Sequence, residues 1–150
     1  MPSSYLDGSG LFVDPDGMQG KRSVISTDAA TRTLTDKEAF SVVIATKASA
    51  TQTFTLPTAA SVGAGCQFTF ICGSADGEIL VDPNDADDIK GFTWAAVGAD
   101  ADTATLAPAD NTGIKNTAAT NVLGDNITLI SDGGTNWYTL GMPTGIWATQ

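Results

Sequence analysis

The run Ile127-Thr-Leu-Ile-Ser-Asp-Gly-Gly-Thr-Asn-Trp-Tyr-Thr-Leu-Gly141 constrains this chain more than any other stretch. Apolar and polar residues alternate, break at Ser131-Asp-Gly-Gly134, and resume through Trp137 and Leu140. Period-two alternation on both sides of a Gly-containing break predicts a β-hairpin. Glycine supplies the positive φ angles a tight turn needs, while the flanking residues face core and solvent in turn.

The same pattern recurs upstream. Phe40-Ser-Val-Val-Ile-Ala-Thr46 places Phe40, Val42 and Ile44 on one face. Thr51 to Leu56 points Phe54 and Leu56 inward and Thr53 and Thr55 outward, and Pro57 ends the ladder. A Gly-rich connector over residues 60–65 leads into Cys66-Gln-Phe-Thr-Phe-Ile-Cys72, followed by a strand from Glu78 to Asp82 stopped by Pro83. A weaker strand runs from Thr103 to Ala107 before Pro108, and Gly145 to Thr149 reads as a closing strand. Short strands punctuated by Gly, Pro and Asp predict an all-β fold: a small antiparallel sandwich or a partly closed barrel. The one helical turn expected lies at Thr35 to Ala39, where Thr35 and Glu38 have the spacing of a capping box.

Residues 1–32 read differently. Turn clusters at Asp7-Gly-Ser-Gly10 and Asp14-Pro-Asp-Gly17 surround a small apolar island, Leu11-Phe-Val13, with no sustained period. The segment is an irregular arm ahead of a β-rich domain over residues 33–150. Either it is a loose terminus, or it is an extended arm that inserts Leu11, Phe12 and Val13 into a neighbouring subunit, with Tyr5 and Met18 as further anchors.

Charge excludes several classes of function. Seven basic against seventeen acidic residues leave a net charge of −10, which repels phosphate backbones and anionic membranes. Neither a nucleic acid nor a membrane is therefore expected as a partner. No apolar run approaches the roughly 20 residues of a membrane-spanning helix. The opening residues lack the basic and apolar regions of a secretory signal, so assembly in a cytoplasm is the expectation.

Catalytic chemistry finds little to build on. The chain has no histidine, which removes His-based triads and the usual zinc sites. It contains no nucleophile elbow, phosphate loop or dinucleotide fingerprint, so no enzyme activity and no cofactor are expected. The acidic cluster Asp82-Pro-Asn-Asp-Ala-Asp-Asp88 offers Asp82, Asp85 and Asp87 as weak calcium candidates. It departs from the EF-hand order, with Asp87 at the glycine position and Thr93 where a glutamate is needed, and otherwise reads as a solvated turn. Cys66 and Cys72 lie on one face of one strand, about 20 Å apart, too far for a mutual disulfide. They read as buried thiols, or else as partners in an intermolecular bond or shared metal site. Trp94, Trp137 and Trp147 could be sugar-binding platforms, but such residues are more often core or interface anchors.

Several segments, taken in order, resemble a known family. Thr53-Phe-Thr-Leu-Pro-Thr-Ala59 precedes Gly63-Ala-Gly-Cys-Gln-Phe-Thr-Phe70, and Ile79-Leu-Val-Asp-Pro83 leads to Asp87-Asp-Ile-Lys-Gly91. Gly124 to Tyr138 and then Gly145-Ile-Trp147 complete the set. Together they resemble capsid decoration (cement) proteins and head-fibre base domains of tailed bacteriophages, over roughly residues 33 to 149.

The resemblance implies a virion structural protein on the outer capsid surface, assembled in the host cytoplasm. Its partners would be the major capsid protein and itself, as a homotrimer that bridges capsomers and stabilises the shell. It makes Tyr5, Leu11, Phe12, Val13, Met18 and Trp147 the expected capsid or subunit contacts. Similar patterns in tail-fibre and tailspike modules imply the alternative, a receptor- or glycan-binding module.

Overall fold

The computed structural model describes residues 22–84, 87–96, 104–111, 113–117 and 119–150, together with two short strands at residues 5–6 and 12–13. In chain order the first strands are β1 (Tyr5–Leu6), β2 (Phe12–Val13), β3 (Val24–Thr27), β4 (Thr31–Thr33), β5 (Val42–Ala45), β6 (Thr51–Thr55) and β7 (Ala64–Cys72). They are followed by β8 (Glu78–Asp82), β9 (Asp88–Ala96), β10 (Ala104–Asn111), β11 (Ile114–Asn116), β12 (Asn126–Asp132), β13 (Asn136–Thr139) and β14 (Trp147–Thr149). A 3₁₀ turn (Asp36–Glu38) lies between β4 and β5, and a short helix α1 (Ala59–Val62) between β6 and β7.

Two sheets pack face to face. The larger has the order β10-β9-β13-β12-β7-β5-β3, and the smaller has the order β14-β11-β8-β6-β4. This is the expected sandwich rather than a closed barrel, but its sheets are mixed rather than antiparallel throughout. From β3 to β8 the chain alternates between the two sheets, so each strand returns to its sheet in the same direction. That zigzag makes β3, β5 and β7 parallel neighbours in the large sheet, and β4, β6 and β8 parallel neighbours in the small one. Antiparallel pairing dominates afterwards, where β9–β10 and β12–β13 form hairpins.

The inward faces follow the alternation. β7 buries Cys66, Phe68, Phe70 and Cys72, as its period requires. Phe54 of β6 meets Phe70 of β7 across the sandwich with ring centroids 5.6 Å apart, and Phe68 tilts against Trp137 at 5.8 Å. Such offset aromatic contacts favour the core beyond the area they bury. Leu56, Val81, Ile89, Ile127 and Leu129 complete the apolar centre.

Several local expectations needed correction. The sheets start before residue 33: β3 pairs with β5 and β4 with β6, so residues 24–33 are part of the sandwich. Within the presumed arm, β1 and β2 pair antiparallel in a small sheet of their own. The Gly-rich connector contains α1, whose N-cap hydroxyl, on Thr58, accepts from the Ser61 N–H. β10 runs through Pro108 to Asn111; as a sheet edge it tolerates the missing N–H. The turn after Thr35 forms as expected, with the Glu38 carboxylate accepting from both the Thr35 N–H (2.8 Å) and its hydroxyl (2.9 Å).

Candidate functional site

The strand β5 reverses the usual assignment of faces. Val43 and Ala45 enter the core, opposite Phe70 and Cys72, while Val42 and Ile44 turn outward. Its neighbours present their other faces in the same way, so the large sheet has an outer surface built in cross-strand rows. One row runs Val24, Val42, Thr69, Thr128 and Leu140. At its centre the Thr69 and Thr128 hydroxyls share a hydrogen bond at 2.9 Å. A second row runs Ser26, Ile44, Ile71 and Asn126, and a third Gln67, Ile130, Tyr138 and Lys90.

None of the outward residues on β3, β5 or β7 is charged. On β12 and β13 the first charge is Asp132, at the hairpin turn, and charge returns beyond them with Asp88 and Lys90 on β9, 3.7 Å apart. The outer face of the small sheet differs: Glu78, Asp82 and Lys115 stand on it, with Glu78 bridging to Lys115 at 3.2 Å and to the Thr51 hydroxyl at 2.7 Å.

The two ends of the sandwich are also unlike. At one end the loops 121–125 and 140–146 are tied together by reciprocal bonds between Asn126 and Thr144. Asp125 is buried there, accepting from the Val122 N–H at 2.9 Å, which holds the turn in place. Its neighbours Val122 and Leu123 are each 62 % exposed, and Met142 on the adjacent loop is 58 % exposed. This end also carries Asp28, Lys47 and Asp76 on the loops that close β3, β5 and β7. The opposite end gathers Asp36, Asp82, Asp87, Asp88 and Asp132 where β6, β8 and β12 finish.

The expected site residues fall as follows. Trp147 is fully buried in the chain's own core, its indole N–H donating to the Thr144 carbonyl at 2.9 Å, so it is neither a surface contact nor a sugar platform. Trp137 is equally buried. The Trp94 side chain lies outside the described residues, as do Leu11 and Met18 and the side chains of Tyr5, Phe12 and Val13. Asp87 is not on a solvated turn. It is buried, and its Oδ2 accepts from the Ala59 N–H at 2.6 Å. Asp85 lies outside the description, and among the described residues no group of three His, Cys, Asp or Glu side chains could hold a metal. Both cysteines are free and buried, away from the surface where an intermolecular bond would form.

What sequence reasoning missed is the uncharged sheet face. Its signal was present in Val42-Val-Ile44, apolar on both sides of the strand, but periodicity cannot say which side turns out. No protein-family model matches this chain, and no curated protein matches it. No described helix is long and apolar enough to cross a membrane.

Proposed function

We propose that this chain is a structural protein of a tailed-phage virion, seated on the outer surface of the assembled capsid. In this reading it binds the major capsid protein as a homotrimer and stabilises the shell by bridging neighbouring capsomers. The sequence resemblance motivates the reading. The observation that carries it is the group of exposed apolar side chains, Val122, Leu123 and Met142, on two joined loops at one end of the sandwich. Exposed apolar side chains grouped on two joined loops fit contact with another protein surface. A trimer that engages several capsid subunits gains avidity, so a small apolar contact per copy suffices.

Electron cryo-microscopy of virions carrying this chain tests the reading. Knobs at threefold positions on the head are expected, with residues 121–125 and 141–146 against the shell. The double substitution Leu123→Asp and Met142→Asp is expected to empty those positions while the protein stays folded. Density on the tail, or full occupancy by the variant, would defeat the proposal.

A further inference from the structure

We infer that the uncharged part of the large sheet's outer face, from β3 to β13, is where a second copy of this chain docks. The inference rests on the self-association in the reading above but needs no capsid, so the two can fail separately.

The argument begins with charge. Two copies that each carry −10 repel one another, and a contact between identical subunits brings like charges together around its axis. The small sheet's outer face would set Glu78 and Asp82 of each copy into such a contact, with Lys115 offsetting one of the two. The large sheet's face, from β3 to β13, brings no charge into it until Asp132 at the hairpin turn. A foreign partner recognised by charge would leave the reverse pattern, with complementary charges retained on the surface it meets. A chain as acidic as this one keeps a face free of charge at no benefit to its own solubility, and self-contact is what such a face permits.

Area and composition agree. The outward positions named in the three rows from β3 to β13, each about 4.8 Å by 6.7 Å, span on the order of 400 Å² in projection, and upright side chains raise the accessible area further. Stable interfaces bury about 800 Å² per partner, so this face supplies about half of one before that increase. Val24, Ile44, Ile130, Tyr138 and Leu140 provide apolar and aromatic contacts, while the Thr69 and Thr128 hydroxyls share a hydrogen bond within the face. Tyr138 and Leu140 remain 41 % and 46 % exposed in the single chain, and Val24 59 %.

Sedimentation equilibrium of the full chain in the absence of capsids tests this. The unmodified protein is expected to associate, and Thr128→Lys, which sets a charge in the middle row, to weaken association at least about a hundredfold. Thr53→Lys, on the outer face of the small sheet, is expected to leave it unchanged. Should Thr128→Lys fail to fold, Tyr138→Glu at a more exposed position replaces it. Hydroxyl-radical footprinting of the unmodified chain gives a readout without any variant: Tyr138 and Leu140 are expected to become protected as concentration rises, and Val122 and Leu123 to stay reactive. A protein that remains monomeric, variants that associate as before, or an oligomer in which Tyr138 and Leu140 stay reactive would each overturn the inference.

Discussion

The Ala59 backbone N–H donates to the buried Asp87 carboxylate at 2.6 Å, joining the start of α1 to the segment that leads into β9. The two residues lie 28 positions apart, and the bond turns an acid from a loop of acids into part of the fold. Removing it strands a buried N–H. Asp87→Ala is therefore expected to lower the unfolding free energy by about 1–3 kcal/mol in urea titrations. Asp87→Asn, which keeps an acceptor oxygen, is expected to cost less. An Asp87→Ala protein as stable as its parent would show that the bond contributes nothing.

Gly145 marks the other end of the sandwich. Its φ is +81°, and a Cβ there would run into the Asp125 carboxylate. That carboxylate holds the Val122 N–H and receives the Asn116 side-chain amide at 3.3 Å. Gly145→Ala combines a disfavoured backbone conformation with displacement of this buried cap, and a loss of about 2 kcal/mol or more follows. Gly141→Ala separates the two effects. Its φ is also positive, at +74°, but among the described residues nothing lies within 4 Å of its Cβ, so it is expected to cost only the backbone share.

These two sites mark what could be read from the sequence and what could not. β7 was legible because Cys66, Phe68, Phe70 and Cys72 alternate with more polar residues, and a one-residue slip would expose all four. The Thr35–Glu38 turn was legible because a capping box is local. Parallel pairing was not, since hairpin signals report only strands that are neighbours in the chain. The partners β5 and β7 are separated by a whole strand in the opposite sheet. The faces of β5 were undecided by Val42, Val43 and Ile44, and only the placement of Val43 opposite Phe70 settles them. Asp87 read as solvated because nothing near it in sequence reveals Ala59. The candidate face was hidden for the same reason: each strand's outward residues are unremarkable singly, and their lack of charge shows only when registers align them.

The two buried tryptophans are expected to respond differently to the same change. The Trp147 indole N–H has the Thr144 carbonyl as acceptor, whereas the buried Trp137 N–H has no acceptor among the described residues. Replacing either ring by Phe leaves a small void. At Trp147 it also removes one of the two donors to the Thr144 carbonyl, which keeps the Asn126 N–H, while at Trp137 it removes a donor that has no acceptor among the described residues. Trp147→Phe is therefore expected to be the more destabilising by about 1 kcal/mol, the net contribution of one hydrogen bond. Equal losses in parallel denaturation curves would refute this assignment.

Stability at high pH should depend on the two thiols. Burial pushes both Cys66 and Cys72 up from the ordinary thiol value; backbone groups beside the sulfurs oppose the shift without cancelling it, and the Asp125 carboxylate adds to it at Cys72. As pH rises, the unfolded chain therefore releases its thiol protons before the folded chain does. Unfolding then binds fewer protons than the native state holds, and stability falls with pH. Their contribution is complete below the unfolded thiol value of about 8.5 and declines above it. The denaturation midpoint is accordingly expected to drop between roughly pH 8 and pH 10. The drop should be shallower in a Cys66→Ala, Cys72→Ala protein, even though that variant starts from a lower midpoint because of the cavities it leaves. Thiol reagents offer an independent check, since buried protonated sulfurs react only as fast as the sandwich opens. Rapid labelling of either cysteine in the native protein at pH 8, or an equally steep decline in the double variant, would contradict the assignment.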